Sequence, residues 1–214
     1  MGDVAYVSAA DDLALHGVRV LGFPTASRVA ARYGLPPDMV GEALLDFEAR
    51  GWARQLSFGG STGWSLTGAG RAENARRLAA ELGRAAARDT VARGHAAFLP
   101  LNRRFGAACT DWQIRPTRLD PMAFNDHTDW GWDERVLRTL GSVAASFRLL
   151  CAQLTEGLAR FGGYADRYSS ALGQVDRGHR AWVDAPDRDS CHMLWIQFHE
   201  DLLATLGIPR GPGA

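Results

Sequence analysis

The chain has 214 residues, of which 46% are hydrophobic and 22% charged, so it is long enough for one large domain or two small ones. Its 24 basic and 24 acidic residues cancel at neutral pH, so any binding to DNA must come from a local cationic patch. Neither a secretion signal nor an apolar run of membrane-spanning length is apparent, and we expect a cytoplasmic protein without a membrane partner. Three widely spaced cysteines favour free thiols: Cys109, Cys151 and Cys191.

Three short helices are predicted at the start of the chain. Ser8 is a candidate N-cap for the first helix, which Gly22 ends. Thr25 caps a second helix, and Gly34 closes it in a left-handed conformation. The third helix runs over 38–50, with prolines at its first turn and a glycine just past its end.

A β-hairpin follows the third helix. Two β-prone runs, "WARQLSF" and "GWSL", flank a glycine-rich turn at Gly59–Thr62. Thr67 then caps another long helix. Helix, helix, helix, hairpin, helix is the order of a winged helix-turn-helix domain, which we predict for residues 8–87.

The motifs of this segment resemble a known family. "TASRVAARYGLPPDMVGEALLDFEARGW" and "GWSLTGAGRAE" are similar to the DNA-binding part of MarR-like bacterial transcriptional regulators. There, a helix ending in "EARGW" precedes the wing and "LTGAGR" starts the next helix. The resemblance covers about residues 10–85, a third of the chain. The remainder, ending "DSCHMLWIQFHEDLLATLG", resembles the C-terminal part of actinobacterial proteins described as transcriptional regulators. The resemblance implies a winged-helix regulator that binds DNA.

Residues 88–210 are predicted to form a helical domain for ligand binding and dimerisation. Apolar residues at helical spacing predict a long helix over 131–161, and Pro100 is expected to interrupt or kink the helix before it. A long polar loop over 113–130 belongs to a class that is often functional. The predicted fold is therefore mainly α with a small β-hairpin: an N-terminal winged helix-turn-helix followed by a C-terminal helical bundle.

The charges of the third helix are unusual for a helix that enters the major groove. From 36 to 50 there are four acidic residues and one arginine, and the wing over 55–65 carries no charge. Phosphates provide most of the affinity of such complexes, so cations outside the third helix must supply it. The candidate DNA-binding residues are Arg28, Arg32, Met39 and Arg54.

Histidine and tryptophan concentrate in the second domain, which holds five of six histidines and five of seven tryptophans. On the last helix His192, Trp195 and His199 share one face, because residues three and seven apart lie along one stripe. If the preceding loop folds over this stripe, its carboxylates and imidazole converge there. The predicted ligand-binding residues are Trp112, Asp126, His127, Asp129, Trp130, His192, Trp195 and His199.

Three interpretations of this cluster remain open. The side chains form ordinary half-buried packing, they line a small-molecule pocket, or they build a catalytic or metal site. The spacing of the two histidines on the last helix matches no zinc motif, and we expect no metal and no cofactor. In the catalytic alternative the acting residues are His127, His192, His199 and Asp126. Cys191, at a helix start, is either a thiol of lowered pKa or a small apolar filler.

These observations lead to one favoured function and two alternatives. We favour a ligand-responsive transcriptional regulator, a homodimer that binds DNA and a small organic effector. The first alternative is an enzyme or biosynthetic auxiliary on a repurposed winged-helix fold that has lost DNA binding. The second is an adaptor that docks on a partner protein through its acidic helix.

Overall fold

A computed structural model describes residues 5–209. The prediction of a mainly α fold with a small hairpin is confirmed, since the named elements within residues 5–209 are helices and one pair of antiparallel strands. No helix in the described part combines the length and the apolar character needed to cross a membrane. In chain order the elements are α1 Ala10–Leu21, α2 Ala26–Tyr33, α3 Pro37–Ala49, β1 Ala53–Phe58, β2 Ser61–Leu66, α4 Gly68–Arg84, α5 Arg88–Gln113, α6 Trp130–Gly157, α7 Tyr164–Asp176 and α8 Cys191–Leu206.

The chain divides into two compact units that alternate along the sequence. The first unit comprises residues up to Ala92, Leu154–Phe161 and residues from Gln197 onward; the second comprises Arg93–Gln153 and Gly162–Ile196. The division therefore falls within α5, α6 and α8. The first unit draws its residues from three separate stretches of the chain.

Local signals position the elements of the first unit. The side chains of Thr25 and Thr67 accept hydrogen bonds from backbone N–H groups at the starts of α2 and α4, which confirms both predicted caps. β1 and β2 pair in antiparallel register from Ala53↔Leu66 to Phe58↔Ser61. The two-residue turn between them, Gly59–Gly60, has positive φ at both positions, a conformation that glycine adopts without strain.

The core of the first unit is apolar and lies among α1, α2, α3 and the hairpin. Each of these helices contributes the residues of one face, as the helical spacing of the apolar residues requires. The prediction that Ser8 caps α1 is wrong: α1 has Ala9 at its N-cap and no side-chain cap bond. The fully buried members of the core are Ala14, Leu15, Val18, Val29, Ala30, Val40 and Leu44.

A buried charged network joins the three stretches of the first unit. Arg160 donates through Nη1 to the carboxylate of Asp201, and through Nε to Glu81 Oε2 at 2.8 Å. His16 Nε2 lies 3.0 Å from Asp201 Oδ1, and Ser8 Oγ donates to Glu81. All five side chains are buried. Ser8 is therefore used for tertiary contact, which explains why it does not cap α1.

Mutual pairing keeps Arg160 and Asp201 ionised. Burial by itself raises the pKa of Asp201, but the adjacent Arg160 and His16 outweigh burial and hold that pKa well below its ordinary value. Burial likewise lowers the pKa of Arg160, and the carboxylates of Asp201 and Glu81 reverse the shift, so its pKa lies above its ordinary value. Arg160 and Asp201 thus face each other as a cation and an anion without access to water.

An aromatic cluster forms the core of the second unit, around Trp195 on α8. The indole stacks on Phe105 with ring centroids 4.2 Å apart and an interplanar angle of 7°. Phe147 and Tyr168 contact the same indole, at 4.9 and 5.9 Å. Of the two outcomes predicted for Pro100, an interruption or a kink of the helix, the interruption is wrong, because α5 continues through that residue as one 26-residue helix.

Candidate functional site

The loop between α5 and α6 is held by a hydrogen-bonded cluster that we call the His127 cluster: Asn125, His127 and Asp133. Asn125 Nδ2 donates to Asp133 Oδ1 at 2.9 Å and to the carbonyl of Trp112 at 3.1 Å, while its Oδ1 accepts from the N–H of His127. His127 has a φ of +57°, a left-handed conformation that is uncommon for a residue with a Cβ. Such strain persists only where its surroundings impose it.

The His127 ring is fixed in orientation and in tautomer. Its Nδ1 lies 3.1 Å from both carboxylate oxygens of Asp133. Because a carboxylate only accepts hydrogen bonds, the contact with Asp133 places a proton on Nδ1. The ring packs on Trp112 with centroids 4.3 Å apart, and 29% of the His127 side chain remains exposed. Arg180 Nη1, 3.4 Å from Asp133 Oδ2, places a cation beside this buried carboxylate.

Three other residues predicted from this loop lie at its surface. Asp126 and Asp129 both pair with Arg115, at 3.2 and 3.3 Å. Hydrogen bonds from Thr128 lower the pKa of Asp126, and the backbone N–H of Trp132 lowers that of Asp129, so both are carboxylates at neutral pH. Trp130 is 74% exposed. Asp129 Oδ1 accepts a hydrogen bond from the N–H of Trp132 and so caps the start of α6. The ion pairs of Asp126 and Asp129 with Arg115 order the loop.

A groove with a volume of about 370 Å³ lies between α5 and α6, and we call it the α5–α6 groove. Each helix contributes four residues at the spacing i, i+3, i+4 and i+7, which places them on one face. The helices run antiparallel here, because Trp132 Nε1 donates to the carbonyl of Asp111 while Arg104 Nη2 donates to Ser142 Oγ. The lining residues are Arg104, Ala107, Ala108, Asp111, Trp132, Arg135, Val136 and Thr139.

Two guanidinium groups face this groove without a carboxylate partner. Within residues 5–209, Arg104 bonds only to the hydroxyl of Ser142, and Arg135 to the carbonyl of Gly131. The guanidinium of Arg135 also lies 5.0 Å from the centroid of the Trp132 ring, which holds it in place. Both cations keep donors for a further acceptor, since a guanidinium has five N–H groups.

The structure divides the predicted stripe of α8 between the two units. Trp195 is only 2% exposed, and its Nε1 donates to Asn102 Oδ1, so the indole belongs to the core and does not form a pocket wall. His192 is half-buried beside Phe105, and burial lowers its pKa against the opposing effect of Asp184, so it is neutral at pH 7. His199 is buried within the first unit.

Comparison with known proteins identifies no relative. No family model, curated protein or solved structure matches this chain.

Metal binding and thiol chemistry find no support in the described residues. Between residues 5 and 209, no group of three or more His, Cys, Asp or Glu side chains is arranged to hold a metal ion. Burial raises the pKa of Cys191 to about 12, with a further contribution from Cys109, so the expectation of a lowered pKa is wrong and the apolar-filler interpretation holds. Burial raises the pKa of Cys109 to the same value.

The candidate DNA-binding residues lie in different environments. Arg54 is exposed at the base of the hairpin, and Arg28 is half-buried on α2. Arg32 donates through Nη2 to the carbonyl of Arg160 at 2.9 Å, so part of its donor capacity is used inside the unit. Met39 is 44% exposed on α3, on a face that also exposes Leu45 and three carboxylates, Asp38, Glu42 and Asp46. This face is acidic and partly apolar.

Sequence reasoning missed the residues of the α5–α6 groove. The signal was present, because two sets of four residues with the same spacing, each containing an arginine, occur on consecutive helices. It was overlooked because most of these residues are common surface or small side chains, whereas histidine and tryptophan, which α8 carries at His192, Trp195 and His199, are rare.

Proposed function

We propose that this protein is a ligand-responsive regulator in which the second unit binds a small organic effector and the first unit is a winged helix-turn-helix. The observation that carries the proposal is the α5–α6 groove. Its volume lies within the range of small-molecule sites, and its walls combine an apolar floor with a few polar groups that fix orientation. Arg104 and Arg135 supply those groups.

The first unit supports the winged-helix part of the proposal through its element order. α1, α2 and α3 precede a β-hairpin with a two-residue turn, and α4 follows this hairpin directly. In a winged helix-turn-helix the third helix enters the major groove and the hairpin lies beside it. The carboxylates on α3 repel phosphate, so we assign the phosphate contacts to exposed or half-exposed arginines on other elements, Arg28 and Arg54.

DNA binding is expected to depend on these two arginines. On a fragment of the protein's own promoter, Arg54→Ala and Arg28→Ala should each weaken binding for all sequences alike. Each should also reduce the slope of log K against log salt by about 1, because one phosphate contact is lost. Electrophoretic mobility shift at several salt concentrations measures both effects.

Arg148→Ala is the matched control, since Arg148 is exposed on α6 in the second unit. It should leave affinity and salt slope unchanged. Failure of the unsubstituted protein to bind any promoter fragment at low salt would remove DNA from the proposed function.

An enzymatic function is the second candidate, and the His127 cluster is the observation that favours it. Asp133 fixes the Nδ1–H tautomer of His127, which leaves Nε2 as a base on a partly exposed ring. In enzymes that use histidine as a general base, a carboxylate orients the imidazole in this way. On this alternative His127 would accept a proton from a substrate or water at the surface of the second unit.

Hydrolysis of p-nitrophenyl acetate tests whether His127 is a reactive base. His127→Gln should lower the rate by about a hundredfold or more, since a hundredfold is the low end of what a positioned general base contributes. His179→Gln is the control, because His179 is exposed and, within residues 5–209, its side chain bonds only to Gln174. Equal rates for the two variants would contradict the enzymatic alternative and leave the His127 cluster with a structural role.

A further inference from the structure

We infer that a small polar cavity in the first unit binds one ordered water molecule, which bridges His16 and Asn74 and completes the buried charged network. The cavity is lined by residues of α1 and α4, together with Ser8 and Arg160, and all of these residues belong to the first unit. The inference goes beyond the proposed function, since it concerns neither the α5–α6 groove nor DNA.

Two buried side chains at this cavity each have a polar atom without a partner. His16 and Asn74 are each 1% exposed, and both line the cavity. Among residues 5–209, no hydrogen-bond partner reaches His16 Nδ1 or Asn74 Nδ2. A buried polar atom that gives up its hydration without a new bond destabilises the fold, so native proteins satisfy nearly all such atoms. A molecule in the cavity that the two side chains share can supply both bonds.

The other contacts of the two side chains decide what this molecule must offer. His16 Nε2 lies 3.0 Å from Asp201 Oδ1 and 3.3 Å from Arg160 Nη1. The carboxylate is nearer and only accepts, so Nε2 carries a proton. Nδ1 then needs a donor if the ring is neutral and an acceptor if the ring is charged.

The amide of Asn74 adds a second requirement. Its Oδ1 accepts from Arg19 Nη1 at 3.4 Å, so Nδ2 is the donor that faces the cavity and needs an acceptor. Water both donates and accepts, and it therefore serves Asn74 together with His16 in either charge state of the ring.

Charge and size exclude other occupants. Two ion pairs line the cavity, Arg77 with Asp12 at 2.9 Å and Arg160 with Glu81 at 2.8 Å, so its charges cancel and select neither an anion nor a cation. The space that a water-sized sphere can occupy is about 10 Å³, which is the room of one water molecule and too small for an organic ligand.

Oxygen-17 magnetic relaxation dispersion in water tests the inference, because its amplitude counts the water molecules that stay bound for longer than the protein takes to tumble. Asn74→Leu removes the donor and places an apolar side chain of similar size at the cavity. The amplitude of the unsubstituted protein should exceed that of Asn74→Leu by the contribution of one water molecule.

Thr205→Val is the matched control. Thr205 is buried in the same network and accepts a hydrogen bond from Arg160 Nη2, but it does not line the cavity. This variant should keep the amplitude of the unsubstituted protein. Equal amplitudes for the unsubstituted protein and for Asn74→Leu that is folded by circular dichroism would overturn the inference, and so would equal losses in the two variants.

A crystal structure of the unsubstituted protein decides the question even if Asn74→Leu does not fold. Electron density for one water oxygen at about 2.7–3.2 Å from both His16 Nδ1 and Asn74 Nδ2 would support the inference. A well-ordered cavity without such density would overturn it.

Discussion

Arg160→Met is expected to lower the free energy of unfolding by about 3–5 kcal/mol, the usual result of removing one partner from a buried ion pair. Methionine keeps an unbranched apolar stem but has no guanidinium group. Asp201 and Glu81 would then be buried anions without their shared cation, and Thr205 would lose the donor at Nη2. Urea denaturation followed by circular dichroism measures the effect as a shift in midpoint.

The size of the effect should depend on pH. Because the native pKa of Asp201 lies below its ordinary value of about 4, its pairing contributes stability that is fully present above pH 4 and is lost as the pH falls through the native pKa. In Arg160→Met, Asp201 loses the neighbouring cation that lowers its pKa. The difference between variant and parent should therefore be largest near neutral pH and smaller in acid.

Arg138→Ala is the control for this prediction, since Arg138 and Glu134 form an ion pair that is mostly exposed. Its loss should change stability by no more than about 0.5 kcal/mol. A midpoint for Arg160→Met that matches the midpoint for Arg138→Ala would show that the buried network does not stabilise the first unit.

Trp195→Ala is expected to destabilise the protein by about 3–5 kcal/mol, as is typical of a large aromatic residue removed from a core. The substitution removes the stacking on Phe105 and the contacts with Phe147, and leaves Asn102 Oδ1 without the indole N–H. The cavity cannot refill easily because the neighbouring rings are themselves fully buried. Chemical denaturation monitored by far-ultraviolet circular dichroism avoids the change in tryptophan fluorescence.

Trp130→Ala is the matched control, because Trp130 is 74% exposed and the face of its ring contacts the guanidinium of Arg180. It should cost no more than about 1 kcal/mol, the value of an exposed cation–π contact. Equal losses for the two tryptophans would mean that Trp195 is not a core residue. They would restore the sequence-based expectation that it lines a binding site.

Local structure could be predicted from the sequence because its causes lie within a few residues of each other. Thr25 and Thr67 bond to N–H groups three residues ahead, and the two glycines of the hairpin provide the positive φ of the turn. Helical spacing placed the apolar face of α3 correctly, since Val40, Ala43, Leu44 and Phe47 are buried.

Contacts between distant residues could not be predicted in the same way. The partners His16 and Asp201 are 185 positions apart, and nothing in the sequence around either of them indicates the other. The spacing of the α8 residues showed correctly that Trp195 and His192 lie on one side of a helix. It did not show that this side faces Phe105 and Phe147, since both a core and a pocket wall require an aromatic stripe.

The composition of the first unit from three stretches of chain has a consequence for protein synthesis. Glu81 and His16 leave the ribosome early, but their partner Arg160 follows about 80 residues after Glu81, and Asp201 comes close to the end of the described chain. Domains usually fold in the order of their translation. Here the unit that begins first must be completed last, after the whole of the second unit has emerged. A premature stop codon near position 196 would therefore damage the start of the protein more than the segment next to the stop.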